Sequence, residues 1–240
     1  MADDTSEAAG RRRGVLFDVD GTLVDSNYPH TLAWWHAFRR FGHDVPAAEI
    51  HRAIGMGGDK LVAHLLGDDR DADQDTELDA THSAVFATFW PALRAFEGAG
   101  ELVRRCADSG LTVVLASSAS KQELGVSRGI IDADDSISAA TSSSDAENSK
   151  PSPDILQAAL EAGGLDAADA VFVGDSVWDV RAAAELEIPT IGLASGGTSE
   201  AELRDAGAVE VYKDIRALLD AFDDGPLHGL AEPSSSAAAP

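Results

Sequence analysis

The 240-residue sequence has one cysteine, few lysines and no long apolar segment, and each shortage excludes a class of protein. Cys106 has no partner for an internal disulfide, so the chain is unlike a disulfide-stabilised secreted domain. No stretch approaches the roughly 18 consecutive apolar residues that a membrane-spanning helix requires. The first 13 residues contain no apolar core of a signal peptide. We therefore expect a cytoplasmic protein with no membrane partner.

Positive charge is also scarce, since 18 Lys and Arg residues face 42 Asp and Glu residues and give a net charge of −24 at pH 7. Such a surface repels a phosphate backbone and excludes nucleic acid as a partner. Aspartate outnumbers glutamate by 28 to 14, and arginine outnumbers lysine by 14 to 4. This composition fits a surface adapted to high salt and equally an acidic protein of an ordinary cytoplasm. The sequence favours neither interpretation.

The chain does contain an alternation of short β-rich runs with amphipathic helical patterns. We predict helices at 100–109, 153–162, 177–187 and 200–206. The predicted strands are 14–19, 111–117, 137–141, 170–173, 189–193 and 209–212. Strands that alternate with helices indicate an α/β fold in which a parallel sheet is covered on both faces.

Residues 27–97 interrupt the alternation, because they offer helical patterns at about 29–41, 46–54, 58–66 and 77–95 and no convincing strand. We predict that this segment is a helical cap domain inserted between core segments 14–26 and 98–224. Residues 1–13 are predicted to be a flexible arm. Residues 225–240, which are rich in Ser, Ala and Pro, are predicted to be a flexible tail.

Four carboxylates follow two of the predicted strands. Asp18 and Asp20 come directly after the first strand, and Asp175 and Asp179 follow the fourth. Ligands of an open parallel sheet bind at the carboxyl ends of its strands, so we expect these side chains to converge. Converging carboxylates repel one another unless a cation lies between them, and Mg²⁺ prefers such oxygen ligands. The pattern therefore predicts a magnesium site.

Two further residues suit the binding of phosphate oxygens. Ser117 ends the second predicted strand, and Lys150 precedes a proline between the third and fourth strands. A hydroxyl and an ammonium group bind phosphate and offset charge in a transition state. Each residue alone is better explained as a cap or turn residue. Their fixed order relative to the strands favours a phosphate site.

The same residues resemble the motifs of the haloacid dehalogenase superfamily. Asp18-Val-Asp20-Gly-Thr-Leu-Val-Asp-Ser is similar to its first motif, and Gly-Asp175-Ser-Val-Trp-Asp179 to its fourth. Ser117 and Lys150 stand where the second and third motifs do. The place of the helical insertion resembles the C1-capped subfamily, which includes phosphoglycolate phosphatases and β-phosphoglucomutases. The resemblance covers residues 14–222 and implies a Rossmann-like core with an all-helical C1 cap.

The resemblance also implies a mechanism. Asp18 would attack phosphorus and form an aspartyl-phosphate, while Asp20 would first protonate the leaving alkoxide and then activate water. Mg²⁺ would be held by Asp18, by the backbone carbonyl of Asp20 and by Asp175, with Asp179 as a ligand or a supporting residue. The implied phosphate-binding residues are Ser117, Ser118 and Lys150.

Candidate substrate contacts in the insertion are less specific. His30 resembles the histidine that helps to gate the general acid in β-phosphoglucomutase-like proteins, but it also fits a plain helix position. The segment Gly55–Lys60 lacks the arginine with which sugar mutases hold a second phosphate. Gly57 and Gly58 suit either close approach to a ligand or a simple turn between helices, and Lys60 suits either a substrate contact or a solvated helix face.

We therefore expect an enzyme that hydrolyses a small phosphorylated metabolite, similar to phosphoglycolate or a sugar phosphate. A hexose-phosphate mutase and a catalytically silent binding protein of the same fold are the alternatives. A phospho-receiver module also gathers acidic residues at strand ends, but it has no helical insertion of some 70 residues. We expect a monomer or a homodimer.

Overall fold

The computed structural model describes residues 12–231, and its centre is one parallel β-sheet. The six strands lie in the order β3-β2-β1-β4-β5-β6. Their bounds are β1 Gly14–Phe17, β2 Thr112–Ala116, β3 Ala139–Thr141, β4 Ala170–Gly174, β5 Thr190–Leu193 and β6 Glu210–Tyr212. All six predicted strands are present, so the predicted α/β fold is confirmed.

Eleven α-helices are assigned within the described residues. Between β1 and β2 lie α1 Asn27–Arg40, α2 Ala47–Ala53, α3 Gly58–Leu66, α4 Asp75–Ala87 and α5 Ala99–Asp108. The later helices are α6 Lys121–Ile131, α7 Asp154–Gly163, α8 Val177–Ala184, α9 Glu200–Ala206, α10 Ile215–Asp220 and α11 Pro226–Ala231. None of the helices in residues 12–231 combines the length and the apolar character needed to cross a membrane.

Strand β1 shows why the central strands are apolar throughout. Val15 and Phe17 point to one face of the sheet, where α5, α6, α10 and α11 pack, whereas Leu16 points to the other face, against α7 and α8. Side chains alternate between the faces of a strand, so a strand covered on both faces needs apolar residues at consecutive positions. The sheet core therefore forms two apolar layers, one on each face.

The register of β1 places the strand ends that carry the site side by side. Phe17 is level with Leu115 of β2 and with Val173 of β4. The chain continues from β1 to β2 on one side of it and reaches β4 on the other side. β1 and β4 therefore form the topological switch point of the sheet, where ligands of open α/β sheets bind.

Helices α1–α4 pack around an apolar cluster of their own, separate from the two layers of the sheet. Its buried members are Trp34, Ala37, Phe38, Val45, Ile50, Ala53, Ile54, Leu61, Val62 and Leu78. Phe86 of α4 and Ala33 of α1 join the sheet cluster instead. The helices of this segment thus carry their own core and meet the sheet along α1 and α4.

Three helices, α6, α10 and α11, are not predicted from the sequence. Helix α6 begins with a capping box, because Ser120 and Glu123 bind each other's backbone N–H groups, but Gly125 and Gly129 weaken its helical pattern. Helix α11 lies within the predicted flexible tail 225–240, and Leu227 packs it into the core. That part of the tail prediction was wrong. Residues 232–240, and residues 1–11 of the predicted arm, lie outside the described residues.

Helix α4 ends at Ala87, whereas the pattern had predicted a helix to residue 95. A short 3₁₀-helix, Trp90–Ala92, follows it and contains Pro91. Proline has no N–H group to donate within an α-helix and clashes with the preceding turn, so the helix cannot continue through it.

The buried central strand predicts a large difference between two leucine substitutions. Leu16→Ala in β1 should lower the free energy of unfolding by about 2–5 kcal/mol, because it leaves a cavity between packed layers. Leu32→Ala in α1 should cost less than about 1 kcal/mol, because Leu32 is 50% exposed. Urea denaturation of both variants checks this, and equal losses would contradict the assigned burial.

Candidate active site

An ion cluster lies at the carboxyl end of β1. The ammonium group of Lys150 donates to Asp18 Oδ1 at 2.5 Å and to the carbonyl oxygen of Ala116 at 3.3 Å. It also lies 2.9 Å from Asp179 Oδ1. The side chains of Lys150 and Asp179 are almost completely buried. The structure thus brings together residues that are 132 and 29 positions apart in the chain.

Asp179 also closes the N-terminus of α8. Its Oδ2 atom accepts hydrogen bonds from the backbone N–H of Ser176 at 3.0 Å and from the Ser176 hydroxyl at 2.7 Å. One carboxylate oxygen therefore caps the helix and the other faces Lys150. This fixed orientation brings Asp179 into the ion cluster.

Asp175 is held by two donors from the segment after β1. Thr22 Oγ1 donates to its Oδ1 at 3.0 Å, and Asn27 Nδ2 donates to its Oδ2 at 2.8 Å. A Cβ atom at Gly21 would lie 2.5 Å from Asp175 Oδ2, and one at Gly196 would lie 1.6 Å from the same atom. The Asp175 carboxylate therefore occupies space that only glycine leaves open at both positions. Neither Thr22 nor Asn27 was identified from the sequence.

Burial dominates the electrostatics of these carboxyl groups. It raises the pKa of Asp18 to about 7, against the lowering influence of Lys150. Burial, reinforced by the charges of Asp179 and Asp18, raises the pKa of Asp175 well above its usual range. Burial also opposes the charge of Lys150, but Asp179 and Asp18 outweigh it and raise the pKa of Lys150, which keeps the ammonium group charged. Asp18 and Asp179 thus share one buried cation, whereas Asp175 has none beside it among the described residues.

These residues fit a divalent metal ion. Asp18, Asp175 and Asp179 each offer one carboxylate oxygen, and the three atoms lie within 4.8 Å of one another. The donor set contains oxygen only, which suits a hard cation, and a second positive charge would offset the repulsion that raises the pKa values of Asp18 and Asp175. The chemistry and the charge of the cluster both match such an ion.

Asp20 lies beside the cluster with a different set of partners. Ser26 Oγ donates to Asp20 Oδ1 at 2.6 Å, and His30 Nε2 lies 3.4 Å from the same oxygen. Burial would raise the pKa of Asp20, but the hydrogen bond and charge of His30 and the hydrogen bond of Ser26 outweigh it and hold the pKa below its usual range. The environments of Asp18 and Asp20 thus shift their pKa values in opposite directions, a feature of paired groups with different roles.

His30 is part of an aromatic stack between α1 and α4. Its Nδ1 atom lies 3.1 Å from Nε2 of His82, and its ring stacks on Phe86 with centroids 3.6 Å apart. His82 in turn stacks on Trp34, with centroids 4.2 Å apart. Burial lowers the pKa of His82 well below its usual range and keeps this ring neutral. Sequence analysis did not find His82, because a lone histidine in an amphipathic helix gives no signal of its partner.

The predicted phosphate-binding residues differ in their hydrogen-bond partners. Ser117 is fully buried, and its hydroxyl accepts a hydrogen bond from the backbone N–H of Ala119 at 3.1 Å. The Ser118 hydroxyl has no hydrogen-bond partner among residues 12–231, although it is buried and its residue lines the main cavity. Lys150 lies behind Asp18 in the ion cluster.

The glycines of the Gly55–Lys60 segment pack against the core of the protein. A Cβ atom at Gly57 would lie 2.3 Å from Cβ of Ser149, and one at Gly55 would lie 2.4 Å from Oγ of Ser176. Lys60 donates to Asn148 Oδ1 at 3.3 Å. The segment is therefore a close-packed contact between the helical insertion and the sheet domain.

Further polar contacts join the insertion to the core, and we call these contacts the seam. The indole N–H of Trp178 donates to the carbonyl oxygen of Arg52 at 2.9 Å. His51 Nε2 lies 3.0 Å from the carbonyl oxygen of Gly196. Together with the packed glycines, the seam closes the insertion over the strand ends.

A cavity of about 670 Å³ lies between the insertion and the strand ends. Its walls include Asp18, Asp20 and His30 on the side of the ion cluster, and Gly57, Gly58 and Lys60 on the side of the insertion. A volume of a few hundred Å³ suits a small-molecule ligand. Asp18, Asp20 and all four candidate residues of the insertion thus line one cavity.

Comparison with known proteins agrees with this arrangement. A family model described as haloacid dehalogenase-like hydrolase matches residues 13–187. The phosphoglycolate phosphatase of Rhodospirillum rubrum is 30% identical over 224 residues, which is 87% of this chain and 90% of that protein. The chloroplastic protein SUPPRESSOR OF QUENCHING 1 of Arabidopsis thaliana is 30% identical over 213 residues, or 86% of this chain. The chain spans only 20% of the length of that larger protein.

The fold has close counterparts among solved structures. A hydrolase from Pseudomonas syringae superposes with a TM-score of 0.84 and is 29% identical. The match covers 89% of this chain and 99% of that protein. The sheet and the helical insertion therefore belong to one shared architecture.

The raised pKa of Asp18 predicts a pH dependence of stability in the metal-free protein. The folded carboxyl group titrates near pH 7 and the unfolded one near 3.9, so the folded state binds more protons between those values. Its contribution to the free energy of unfolding should fall by on the order of 2–4 kcal/mol as pH rises from about 4 to 7. Asp18→Asn removes this titration and should flatten the profile.

Chemical denaturation at several pH values in the presence of a chelator measures the profile. Asp25→Asn, at an exposed aspartate of the same loop, is the control for the change of residue type. Parallel profiles for the wild type and Asp18→Asn would contradict the assigned environment of Asp18.

Proposed function

Because the chain belongs to the haloacid dehalogenase-like hydrolases, we propose that it is a magnesium-dependent phosphatase that acts on a small phosphorylated metabolite. The observation that carries the proposal is the arrangement of Asp18 and Asp20. Both side chains line one cavity, and a buried lysine binds Asp18 while Ser26 and His30 contact Asp20. The proposal assigns Asp18 as the nucleophile and Asp20 as the acid–base group, and their common position at the switch point of the sheet supports it.

In the proposed reaction, an Asp18 carboxylate oxygen forms a bond to phosphorus while the bond from phosphorus to the leaving oxygen breaks. The product is an aspartyl-phosphate, and one difficult displacement becomes two easier ones. Lys150 holds the attacking carboxylate in place through its contact with Oδ1 and offsets negative charge as the phosphoryl group arrives.

Asp20 handles the proton in both steps. It donates a proton to the leaving alkoxide and then accepts one from the water that hydrolyses the aspartyl-phosphate. Ser26 and His30 orient its carboxylate and favour the charged form, which is the form that accepts the proton from water. His30 lies in van der Waals contact with Phe86, so its position is set by the packing of α1 against α4.

Mg²⁺ would be held by Asp18, Asp175 and Asp179, with the backbone carbonyl of Asp20 as a further oxygen. When bound, it supplies positive charge that lets an anionic nucleophile approach an anionic phosphate. The hydroxyl of Ser118 is buried and has no hydrogen-bond partner among residues 12–231, and we assign it to phosphate together with Lys150. Ser117 supports this turn through Ala119.

We assign residues 27–97 to a cap over the core segments 14–26 and 98–224. Hexose-phosphate mutase is the second candidate function, since His30 contacts Asp20, as the resemblance to β-phosphoglucomutases implies. The Gly55–Lys60 segment weighs against it, because it offers no arginine for a second phosphate and two of its glycines, Gly55 and Gly57, face side chains of the sheet domain. Free inorganic phosphate as the product would favour the phosphatase, and glucose 6-phosphate formed from glucose 1-phosphate would favour the mutase.

We predict that Asp18→Asn abolishes phosphate release, because an amide cannot act as the nucleophile. Phosphate release from p-nitrophenyl phosphate with Mg²⁺ supplied is the measurement. Asp25→Asn, on the same loop but exposed, should keep wild-type turnover. A purified Asp18→Asn protein that retained more than a few per cent of wild-type turnover would remove Asp18 from the role of nucleophile.

The acid–base role of Asp20 predicts a dependence on the leaving group. Asp20→Ala should slow turnover of an alkyl phosphate by about 10²–10⁴-fold, which is the usual value of general acid–base assistance. The formation of the aspartyl-phosphate from p-nitrophenyl phosphate should slow less, since p-nitrophenolate leaves without a proton. Single-turnover kinetics separates the two steps, and unchanged rates on both substrates would refute the role.

A further inference from the structure

We propose that the insertion side of the cavity selects a leaving alcohol that is rich in hydrogen-bond donors and carries no carboxylate, with Asp79 as the specificity-determining residue. The proposal rests on the phosphatase function above and narrows its substrate class to polyol-type phosphomonoesters. The insertion side of the cavity is the wall that would face the alcohol released from phosphate.

That wall carries carboxylates close to the Gly57–Gly58 turn. An Asp79 carboxylate oxygen lies 2.4 Å from where a Cβ atom of Gly58 would be, so it rests directly on the turn. Asp59 Oδ1 lies 3.0 Å from the corresponding position of Gly57. Glu123 of α6 lines the same cavity. Burial, together with the charges of Glu123 and Asp59, raises the pKa of Asp79, so the three groups lie within each other's electric field.

The cations of this wall are already engaged. Arg70 binds Asp75 through Nε at 3.1 Å and Nη2 at 2.9 Å, and it donates to the carbonyl oxygen of Gly67 through Nη1. Lys60 lies 3.6 Å from Asp59 Oδ2 and donates to Asn148. Neither Arg70 nor Lys60 therefore offers the cavity an unpaired positive charge.

The acidic groups are less fully engaged. Glu123 accepts a hydrogen bond from the backbone N–H of Ser120 at 2.9 Å, which satisfies only part of its carboxylate. Asp79 has no hydrogen-bond or ion-pair partner among the described residues 12–231. The wall therefore presents uncompensated acceptor oxygens and negative charge to the cavity.

His82 lines the same cavity and holds a buried ring nitrogen without a partner among the described residues. It is 6% exposed, lines the cavity, and its Nδ1 atom has no hydrogen-bond partner within residues 12–231. If His30 donates through Nε2 to Asp20, its Nδ1 atom accepts from His82 Nε2, and His82 Nδ1 is left as an acceptor. A hydroxyl or ammonium hydrogen of a ligand satisfies such a site, whereas a carboxylate does not.

A carboxylate on the leaving group would add a negative charge to a cavity that Asp79 and Glu123 already line. Asp79 is exposed, so solvent screens the repulsion and limits its effect on the rate. We expect wild-type kcat/KM for glycerol phosphate to exceed that for 2-phosphoglycolate by about fivefold or more, the factor that one screened like-charge contact produces.

The test measures kcat/KM with Mg²⁺ for glycerol phosphate, ethanolamine phosphate, 2-phosphoglycolate and p-nitrophenyl phosphate. Asp79→Asn should reduce the preference for glycerol phosphate over 2-phosphoglycolate by about threefold or more, because it removes one negative charge. Glu77→Gln makes the matched charge change at an exposed position of α4 that does not line the cavity, and it should leave the preference unchanged. Ethanolamine phosphate tests whether an ammonium group can replace hydroxyls as the hydrogen-bond donor. A kcat/KM for ethanolamine phosphate above that for 2-phosphoglycolate supports the proposal.

Three results would overturn the inference and leave the phosphatase function standing. The first is turnover of 2-phosphoglycolate equal to or above that of glycerol phosphate. The second is a preference that Asp79→Asn does not change. The third is turnover of p-nitrophenyl phosphate alone. Absence of phosphate release from all four compounds would instead overturn the proposed function, and this inference with it.

Discussion

The contact between Lys150 and Asp18 is the interaction on which the site depends. A parallel sheet brings the carboxyl ends of its strands to one edge, so the side chains after β1 and β4 meet whether or not their charges are compatible. Asp18, Asp175 and Asp179 are all buried there. Removing one partner from a buried charge pair leaves the other uncompensated, at a cost of several kcal/mol. The ammonium group therefore makes this crowding of carboxylates compatible with a folded core.

The helical insertion is attached to this site in two different ways. At its base, Asn27 begins α1 and also binds Asp175, so the first helix of the insertion is tied directly to the ion cluster. At its far end, the seam consists of hydrogen bonds and packed glycines, and the ring of His64 meets the ring of Trp178 at an edge. The polar contacts at the base are thus buried, whereas those of the seam are partly or fully exposed.

Much of the fold and of the ion cluster could be predicted because both depend on local patterns. Apolar runs such as that of β1 mark strands covered on both faces, and the order of strand ends brings Asp18 and Asp175 together. The aromatic stack could not be predicted, because His82 meets His30 only through the packing of α1 on α4. The roles of Gly57 and Gly58 were equally hidden, since a sequence does not show which side chains fill the space that a glycine leaves. Helix α11 was missed because its anchoring residue, Leu227, lies in a stretch of weak pattern.

The two glycines around Asp175 have a consequence at the level of the gene. Every single-nucleotide change in a glycine codon that alters the residue, other than to a stop codon, introduces a side chain with a Cβ atom. At Gly196 that Cβ atom would overlap Asp175 Oδ2. At Gly21 the Cβ atom would lie 2.5 Å from the same oxygen. The new residue at position 21 would also have to adopt a φ of 79°, which residues other than glycine disfavour. No stepwise route through neighbouring codons leads from glycine to a tolerated alternative at either position. A library of random point mutations in this gene should therefore return only synonymous codons at both positions among its functional members.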